Sequence, residues 1–361
     1  MHRLQLTKPD GRLITLYGRR KIANVGAVLT PRPQPVNPNP HLRWHPLRAE
    51  WVAYAAYRQD RTFLPPPEYN PLLPSNDAAH PTELPTGDYD IAVFDNLFPT
   101  LALQAHDPPQ LHIDTLPGTG HCEVVVFTQD PHASLGSLAL EHIELLLEVW
   151  GDRTRLLAQL GTIRYVLPFE NRGVEVGVTL HHPHGQLYAY PFVPPVAQRM
   201  QQSQRQYYDQ HGRPLLQELL AEEIRSGERL LYCGDHAVAL VPPWARYPYE
   251  VWVAPRQAVP YFYSLDAQQR ADLSRALKTV LLKYDGLWQR SFPYIMAWYQ
   301  APTDGEPHPE SHLHAEFYPP YRTRDKLKYL AGTEIAAGMF ASDVLPEDKA
   351  RELQTVEVSL R

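Results

Sequence analysis

Apolar and polar positions along this chain fall into a pattern that occurs twice. Cys122-Glu123-Val124-Val125-Val126 is a strand-like run, and Tyr249-Glu250-Val251-Trp252-Val253 is its counterpart. After each comes a loop and then apolar residues at helical spacing. These are Leu138, Ile143, Leu146, Leu147 and Trp150 within 135–151, and Leu273, Leu277, Val280, Leu281 and Tyr284 within 266–288. Strand-like Arg164-Tyr165-Val166-Leu167 and Pro293-Tyr294-Ile295-Met296 follow. Each copy closes on alternating polar residues, His182-Pro183-His184-Gly185-Gln186 and His312-Leu313-His314-Ala315-Glu316. Aromatic and proline runs then end in Phe192-Val193-Pro194-Pro195 and Phe317-Tyr318-Pro319-Pro320. Matched points stay roughly 125 to 130 residues apart, nearly constant as an internal duplication requires. Strand, helix, strand, strand with short connections predicts an antiparallel sheet carrying a helix, an α+β unit. Two such half-units are expected to pair into one sheet within a single globular body.

The pattern divides the chain into an extended N-terminal segment (1–40), a first unit (41–197), a polar, Gln-rich linking helix (198–227) and a second unit (228–361). Prolines cluster over 31–40 and 65–85, and such stretches cannot be helix or central strand. Both clusters read as ordered extended segments wrapping a core, the second because Tyr69, Leu72 and Leu73 within it favour burial.

Composition narrows the function. At 43% hydrophobic residues a packed core is expected, yet no run is long enough to cross a bilayer. The start, Met1-His2-Arg3-Leu4-Gln5, lacks the apolar core of a secretory signal. The only cysteines are Cys122 and Cys233, which fits a reducing, cytoplasmic setting. A formal net charge of -6 without a long basic stripe disfavours nucleic acid as partner. A small anionic substrate needs only a few local cations.

The chemistry concentrates at His181-His182-Pro183-His184-Gly185-Gln186. Alternate residues of a strand share a face, so His182, His184 and Gln186 stand side by side. An imidazole attacks phosphorus as a nucleophile and leaves it readily, and a neighbouring amide holds phosphoryl oxygens without exchanging protons. Gly185 permits close approach to the backbone. His-x-His is also good metal-ligand spacing, which keeps a metal site as the competing reading. Upstream, Asn171, Gly173, Gly177 and Thr179 are suited to ring an anion. His106, His112, His121 and His142 are scattered and read as structural or exposed. Glu170 and Glu175 are not set to face each other across a sugar, so glycosidase chemistry is not supported. Tyr247, Tyr249, Trp252, Tyr261 and Tyr263 read as core.

Asn171, Thr179 and His182-Pro183-His184-Gly185-Gln186 together resemble the active-site segment of the galactose-1-phosphate uridylyltransferase family, in the histidine-triad superfamily. Arg43-Trp44-His45-Pro46-Leu47, Trp51 through Arg58 and Arg61, and Phe94-Asp95-Asn96-Leu97-Phe98-Pro99 extend the likeness. Val241-Pro242-Pro243-Trp244-Ala245, Ser291-Phe292-Pro293-Tyr294 and Phe317-Tyr318-Pro319-Pro320 carry it through the second half. The resemblance implies histidine-triad-like half-units and a ping-pong exchange. His184 would take UMP from UDP-glucose, and galactose 1-phosphate would collect it. Arg58, Arg61 and Asn96 would hold UDP-sugar. Asn171, Thr179 and Gln186 would hold phosphoryl oxygens. Lys328 and Glu334 would lie near the hexose, reaching the other subunit of a homodimer. The same histidine would equally serve a phosphorylase acting on ADP-glucose, and a non-catalytic nucleotide or metal sensor is the reading from another class.

Gln186 tilts the expectation from hydrolase to transferase. The leaving group and the incoming nucleophile are both phosphates, ionised near neutrality because the second pKa is about 6, so a neutral amide suffices. His184 needs a free lone pair toward phosphorus, with its other ring N–H fixed by a carbonyl.

The chain departs from the family at the metals. The resemblance implies a zinc held by a CxxC pair and two histidines. His132 and His182 match the histidines, but Asn70 and Leu73 fall where the cysteines belong, and neither Asp77 nor His80 is shown to replace them. Two histidines rarely close a structural site, so only a remnant zinc site is expected and no cofactor is required for the chemistry. A second metal would fall among Met200, Tyr299, His314 and Glu316, also degraded, and a hydrogen-bonded polar strand is expected there.

Overall fold

The computed structural model describes residues 1–32, 34, 36–60 and 69–360. Its strands are β1 (His2–Thr7), β2 (Leu13–Gly18), β3 (His41–His45), β4 (Glu50–Tyr54), β5 (Ile91–Asp95), β6 (Thr115–Pro117), β7 (His121–Val126), β8 (Tyr165–Arg172), β9 (His184–Tyr190), β10 (Leu230–Cys233), β11 (Ala237–Leu240), β12 (Val251–Pro255), β13 (Tyr294–Tyr299), β14 (His314–Tyr318), β15 (Tyr321–Thr323) and β16 (Lys326–Leu327). The helices are α1 (Leu140–Ala158), α2 (Pro195–His211), α3 (Leu215–Ser226), α4 (Ala267–Leu287) and α5 (Pro346–Gln354).

Eleven of these strands form one sheet in the order β1-β2-β5-β7-β9-β8-β13-β14-β12-β11-β10, with antiparallel neighbours throughout. Under the duplication β7 matches β12, β8 matches β13 and β9 matches β14. The order therefore reads the same outward from the central β8–β13 pair, which joins the halves from Tyr294↔Arg172 to Ala297↔Phe169. The expected α+β fold of two half-units in one body is what the chain adopts.

Helices α1 and α4 cover one face. Their Ile143, Leu146, Leu147, Leu277, Val280 and Leu281 pack on Val166, Leu187, Ala189, Ala315 and Phe317 of the sheet. Trp150, Phe262 and Trp298 interlock at the centre of this core. Along β9 the buried residues are Gly185, Leu187 and Ala189, while His184, Gln186, Tyr188 and Tyr190 are half-buried on the opposite face. The two-residue period thus sends the chemistry away from the helices.

Several boundaries differ from the sequence expectation. The first helix starts at Leu140, after a separate 3-10 turn over Leu135–Ser137, and runs on to Ala158. The second matches closely because Asp266 caps it, accepting from the backbone N–H of Gln269 at 2.8 Å. The linking helix is two helices, broken where Gly212 takes a left-handed φ of 67° and Pro214 follows. The N-terminal segment is a hairpin, β1–β2, added to the sheet beside β5. A small sheet of β4-β3-β6 was not anticipated either. Leu72 of the second proline cluster is buried, as expected. Of the aromatic group expected in the core, Tyr249 is buried, but Trp252 stacks on His314 over the open face and Tyr263 is exposed.

Candidate active site

His184 is the first residue of β9, opposite Val126 of β7. Its Nδ1–H donates to the carbonyl of His182 at 2.7 Å, and its Nε2 has no hydrogen-bond partner among the described residues. The ring lines a cleft of about 540 Å³ with His132, Asn171, Arg172, His182 and Arg290. Burial holds the imidazole below its ordinary pKa, so it stands neutral, with its proton on Nδ1 and its lone pair on Nε2. This is the tautomer that attack on phosphorus requires.

Asn171 comes from β8, where its backbone pairs with Ile295 of the second half. Thr179 sits between Val178 and Leu180, both of which line the cleft. Gln186 lies two residues along β9, beside Phe169 and Val124. None of these three side chains makes a hydrogen bond among the described residues, so their polar groups remain available. Arg172 is not available as a cation, because two 2.9 Å bonds commit it to Asp285. Arg290 forms no ion pair among the described residues; it lies over Trp288 and Tyr321 and donates to the carbonyl of Arg324 at 2.5 Å, which leaves its charge unneutralised. No sequence signal singled it out, since a lone arginine after a helix has no spacing pattern.

Gly185 is needed for a reason other than substrate approach. A Cβ there would lie 2.8 Å from the ring of Phe127 and from the carbonyl of Phe169. Phe127 belongs to the core under the helices, so the close approach is on the face away from His184.

The residues expected at the nucleoside end gather around one loop. Arg58, in the 3-10 turn Ala56–Asp60, donates to the carbonyl of Phe98. Asn96 accepts from the N–H of Phe98 at 2.8 Å. Thr100 and the hydroxyl of Tyr188 tie this loop to β9 at 3.4 Å. Tyr188 is four residues from His184, roughly 13 Å at strand rise. Arg61 lies outside the described residues. Lys328 and Glu334 pair with each other at 3.4 Å and do not line the cleft.

The residues that would hold zinc do not fit it. His182 is buried with both nitrogens engaged. Its Nε2 bonds the carbonyl of Thr128 at 2.7 Å, and its Nδ1 meets Asn70 Nδ2 at 3.1 Å. His132 lines the same cleft but is exposed. An amide nitrogen thus stands where a thiolate would be needed. In the second half His314 repeats the geometry of His184, with Nδ1 on the carbonyl of His312 at 2.8 Å. Its Nε2, however, meets Glu316 at 3.3 Å, and its ring is stacked between Trp252 and Tyr299. Glu316 is also paired to Arg246 at 3.0 Å. The second site is a closed polar network and offers no nucleophile.

The scattered histidines behave as expected. His142 bonds the carbonyl of Phe127, and His106 and His112 are exposed. His121 lies between Asp95 and Glu123, whose carboxylates raise its pKa to about 10 against burial. Among the described residues this trio is the one geometric cluster able to hold a metal, but Arg153 already neutralises Glu123. Glu170 and Glu175 bond Tyr294 and Tyr321 and do not oppose one another.

A duplicated α+β sheet whose first half presents a tautomer-fixed imidazole in an open cleft suits a nucleotidyltransferase. The models described as Galactose-1-phosphate uridyl transferase, N-terminal domain, and Galactose-1-phosphate uridyl transferase, C-terminal domain, match residues 32–194 and 200–360. A galactose-1-phosphate uridylyltransferase of Thermotoga maritima is 38% identical over 88% of this chain and 99% of its own length. One from Rattus norvegicus is 33% identical over 88% and 87%. A solved uridylyltransferase structure superposes with a TM-score of 0.78 at 29% identity, covering 88% of this chain and 98% of that one. The chain belongs to the galactose-1-phosphate uridylyltransferase family. An ADP-glucose phosphorylase from Arabidopsis thaliana, with bound ADP-glucose, shares the fold at a TM-score of 0.67 and 23% identity, over 89% and 100%.

Proposed function

We propose that the protein exchanges uridylyl groups between UDP-glucose and galactose 1-phosphate through a uridylyl-histidine intermediate. The observation that carries this reading is the His184 ring, with Nδ1–H on a carbonyl and Nε2 unbonded in the cleft. Nε2 attacks the α-phosphorus, forming a P–N bond as the P–O bond to glucose 1-phosphate breaks. The positive charge that develops on the ring is stabilised by the His182 carbonyl. A phosphate oxygen of galactose 1-phosphate then displaces the histidine, restoring the P–O bond. Asn171, Thr179 and Gln186 hold the phosphoryl oxygens, Arg290 adds a cation, and Arg58, Asn96 and Arg61 serve the nucleoside end. No step runs through a metal, and we infer that none is required.

The relatives named above support the uridylyl donor over ADP-glucose. Two free thiols, Cys122 and Cys233, suit a cytoplasmic setting. No helix among the described residues is long and apolar enough to cross a membrane. A homodimer is supported by the exposed Tyr329, Leu330, Ile335 and Met339 that flank Lys328 and Glu334, a pair that does not line this subunit's own cleft. The division into units 41–197 and 228–361 follows the repeated strands. Steady-state kinetics with both substrates tests the reading. Parallel double-reciprocal lines with UDP-glucose support it, and exclusive use of ADP-glucose removes it.

A further inference from the structure

The proline-rich loop that follows residue 68 reaches the segment leading into β9 through a polar contact, Asn70 to His182. The amide of Asn70 cannot be turned around. Its Oδ1 accepts from the N–H of Leu72 at 2.9 Å, which leaves Nδ2 facing His182 Nδ1 at 3.1 Å. Nδ2 is a donor only, so Nδ1 of His182 must be the acceptor. Its Nε2 then carries the proton that goes to the carbonyl of Thr128 at 2.7 Å. His182 is thereby neutral, of one tautomer and fixed in place. Its own carbonyl receives Nδ1–H of His184. Two hydrogen bonds, one to the His182 ring and one to its carbonyl, thus connect Asn70 with the reactive ring.

The loop itself is anchored from the far side. The turn of the β1–β2 hairpin carries Lys8, Asp10 and Arg12, all buried, and these close on the buried Glu83. Arg12 bonds Glu83 at 2.8 Å and Asp10 at 2.7 Å, and Lys8 pairs with Glu83 and also donates to its carbonyl. Two cations and two anions cancel. The N–H of Glu83 in turn bonds the carbonyl of Pro71, next to Asn70, at 2.8 Å. Leu72 and Leu84 pack with Ile14, Leu16 and Phe94 in a small core beneath it.

We propose that Asn70 is a positioning residue for His184, and that the buried Lys8–Asp10–Arg12–Glu83 cluster holds its loop, so that hydrogen bonds and ion pairs perform here the fastening that metal ligation cannot. The proposal rests on His184 being the nucleophile. A merely structural Asn70 would affect melting and not the chemical step.

Asn70→Asp separates the two. The side chain is isosteric but turns a donor into an anionic acceptor, so His182 takes a second proton. An imidazolium then lies beside the ring that must become cationic on attack. The single-turnover rate of uridylyl-enzyme formation falls tenfold or more at neutral pH and recovers as pH rises, with KM for UDP-glucose changed less than twofold. Glu83→Gln lowers the melting temperature and that rate together. An unchanged rate and pH profile in folded Asn70→Asp overturns the proposal. Imidazole 15N NMR of the unsubstituted protein decides independently of any variant. His182 protonated at Nε2, with Nδ1 bare, supports the proposal, and the opposite tautomer or stoichiometric zinc on His182 overturns it. Absence of any adduct in the unsubstituted enzyme would instead strike the proposed function, leaving the NMR result to judge Asn70.

Discussion

At the residue scale the account turns on where protons sit. His184 holds one on Nδ1 against a carbonyl, and Gln186 beside it has none to exchange. Gln186→His supplies a group able to assist water, so the ratio of hydrolysis to transfer, read by product analysis, rises roughly tenfold or more. An unchanged ratio contradicts the role of the amide. Arg58 bonds the loop that carries Asn96. Arg58→Ala raises KM for UDP-glucose about tenfold, near 1.4 kcal/mol, while the melting temperature stays within a few degrees. A lowered melting point with unaltered kinetics reverses that assignment. The His-x-His segment was legible in sequence because its spacing is local. Asn70 was legible only as a missing ligand, since its contact with His182 spans 112 positions. Arg290 was not legible, because its place in the cleft depends on packing across the two halves.

At the element scale β8 and β9 carry the site. Gly185→Ala drives a methyl into Phe127 and the Phe169 carbonyl, and destabilises by about 1–3 kcal/mol as overpacking does, measurable by denaturant unfolding. On the helix side of β8, burial raises Glu170 to about 7 despite Arg172, with Tyr294 donating to it and Asp285 of α4 nearby. A carboxyl whose folded pKa exceeds its unfolded value binds extra protons when native. Its stabilisation is complete below about pH 4.5 and is lost as pH rises through about 7, at most about 3 kcal/mol. Glu170→Gln therefore leaves stability at pH 5 nearly unchanged and raises it at pH 8, checked by melting at both values. Equal curves for both proteins contradict this. Periodicity located α4 to within a residue because Asp266 caps it, but overran the start of α1, where a 3-10 turn continues the apolar spacing before the helix begins. The break at Gly212 and Pro214 was written in the sequence as a stop signal and was outweighed by the polar composition on either side.

At the scale of the whole molecule, the duplication read from matched segments is realised as one sheet mirrored about β8–β13. That pairing supports Asn171 from the second half, so the second unit contributes structure although its own histidine is closed off by Glu316. The hairpin β1–β2 was legible in the alternating residues on either side of Asp10-Gly11, and reading 1–40 as one extended segment passed over that turn signal. The central claim is that His184 carries UMP during each turnover. Mixing the protein with UDP-glucose, quenching under alkaline conditions that preserve phosphoramidates, and mapping peptides by mass spectrometry tests it most directly. A single UMP on His184, discharged by galactose 1-phosphate and absent from His184→Gly, is the predicted result. No adduct under conditions where exchange proceeds, or an adduct on another residue, would contradict the account.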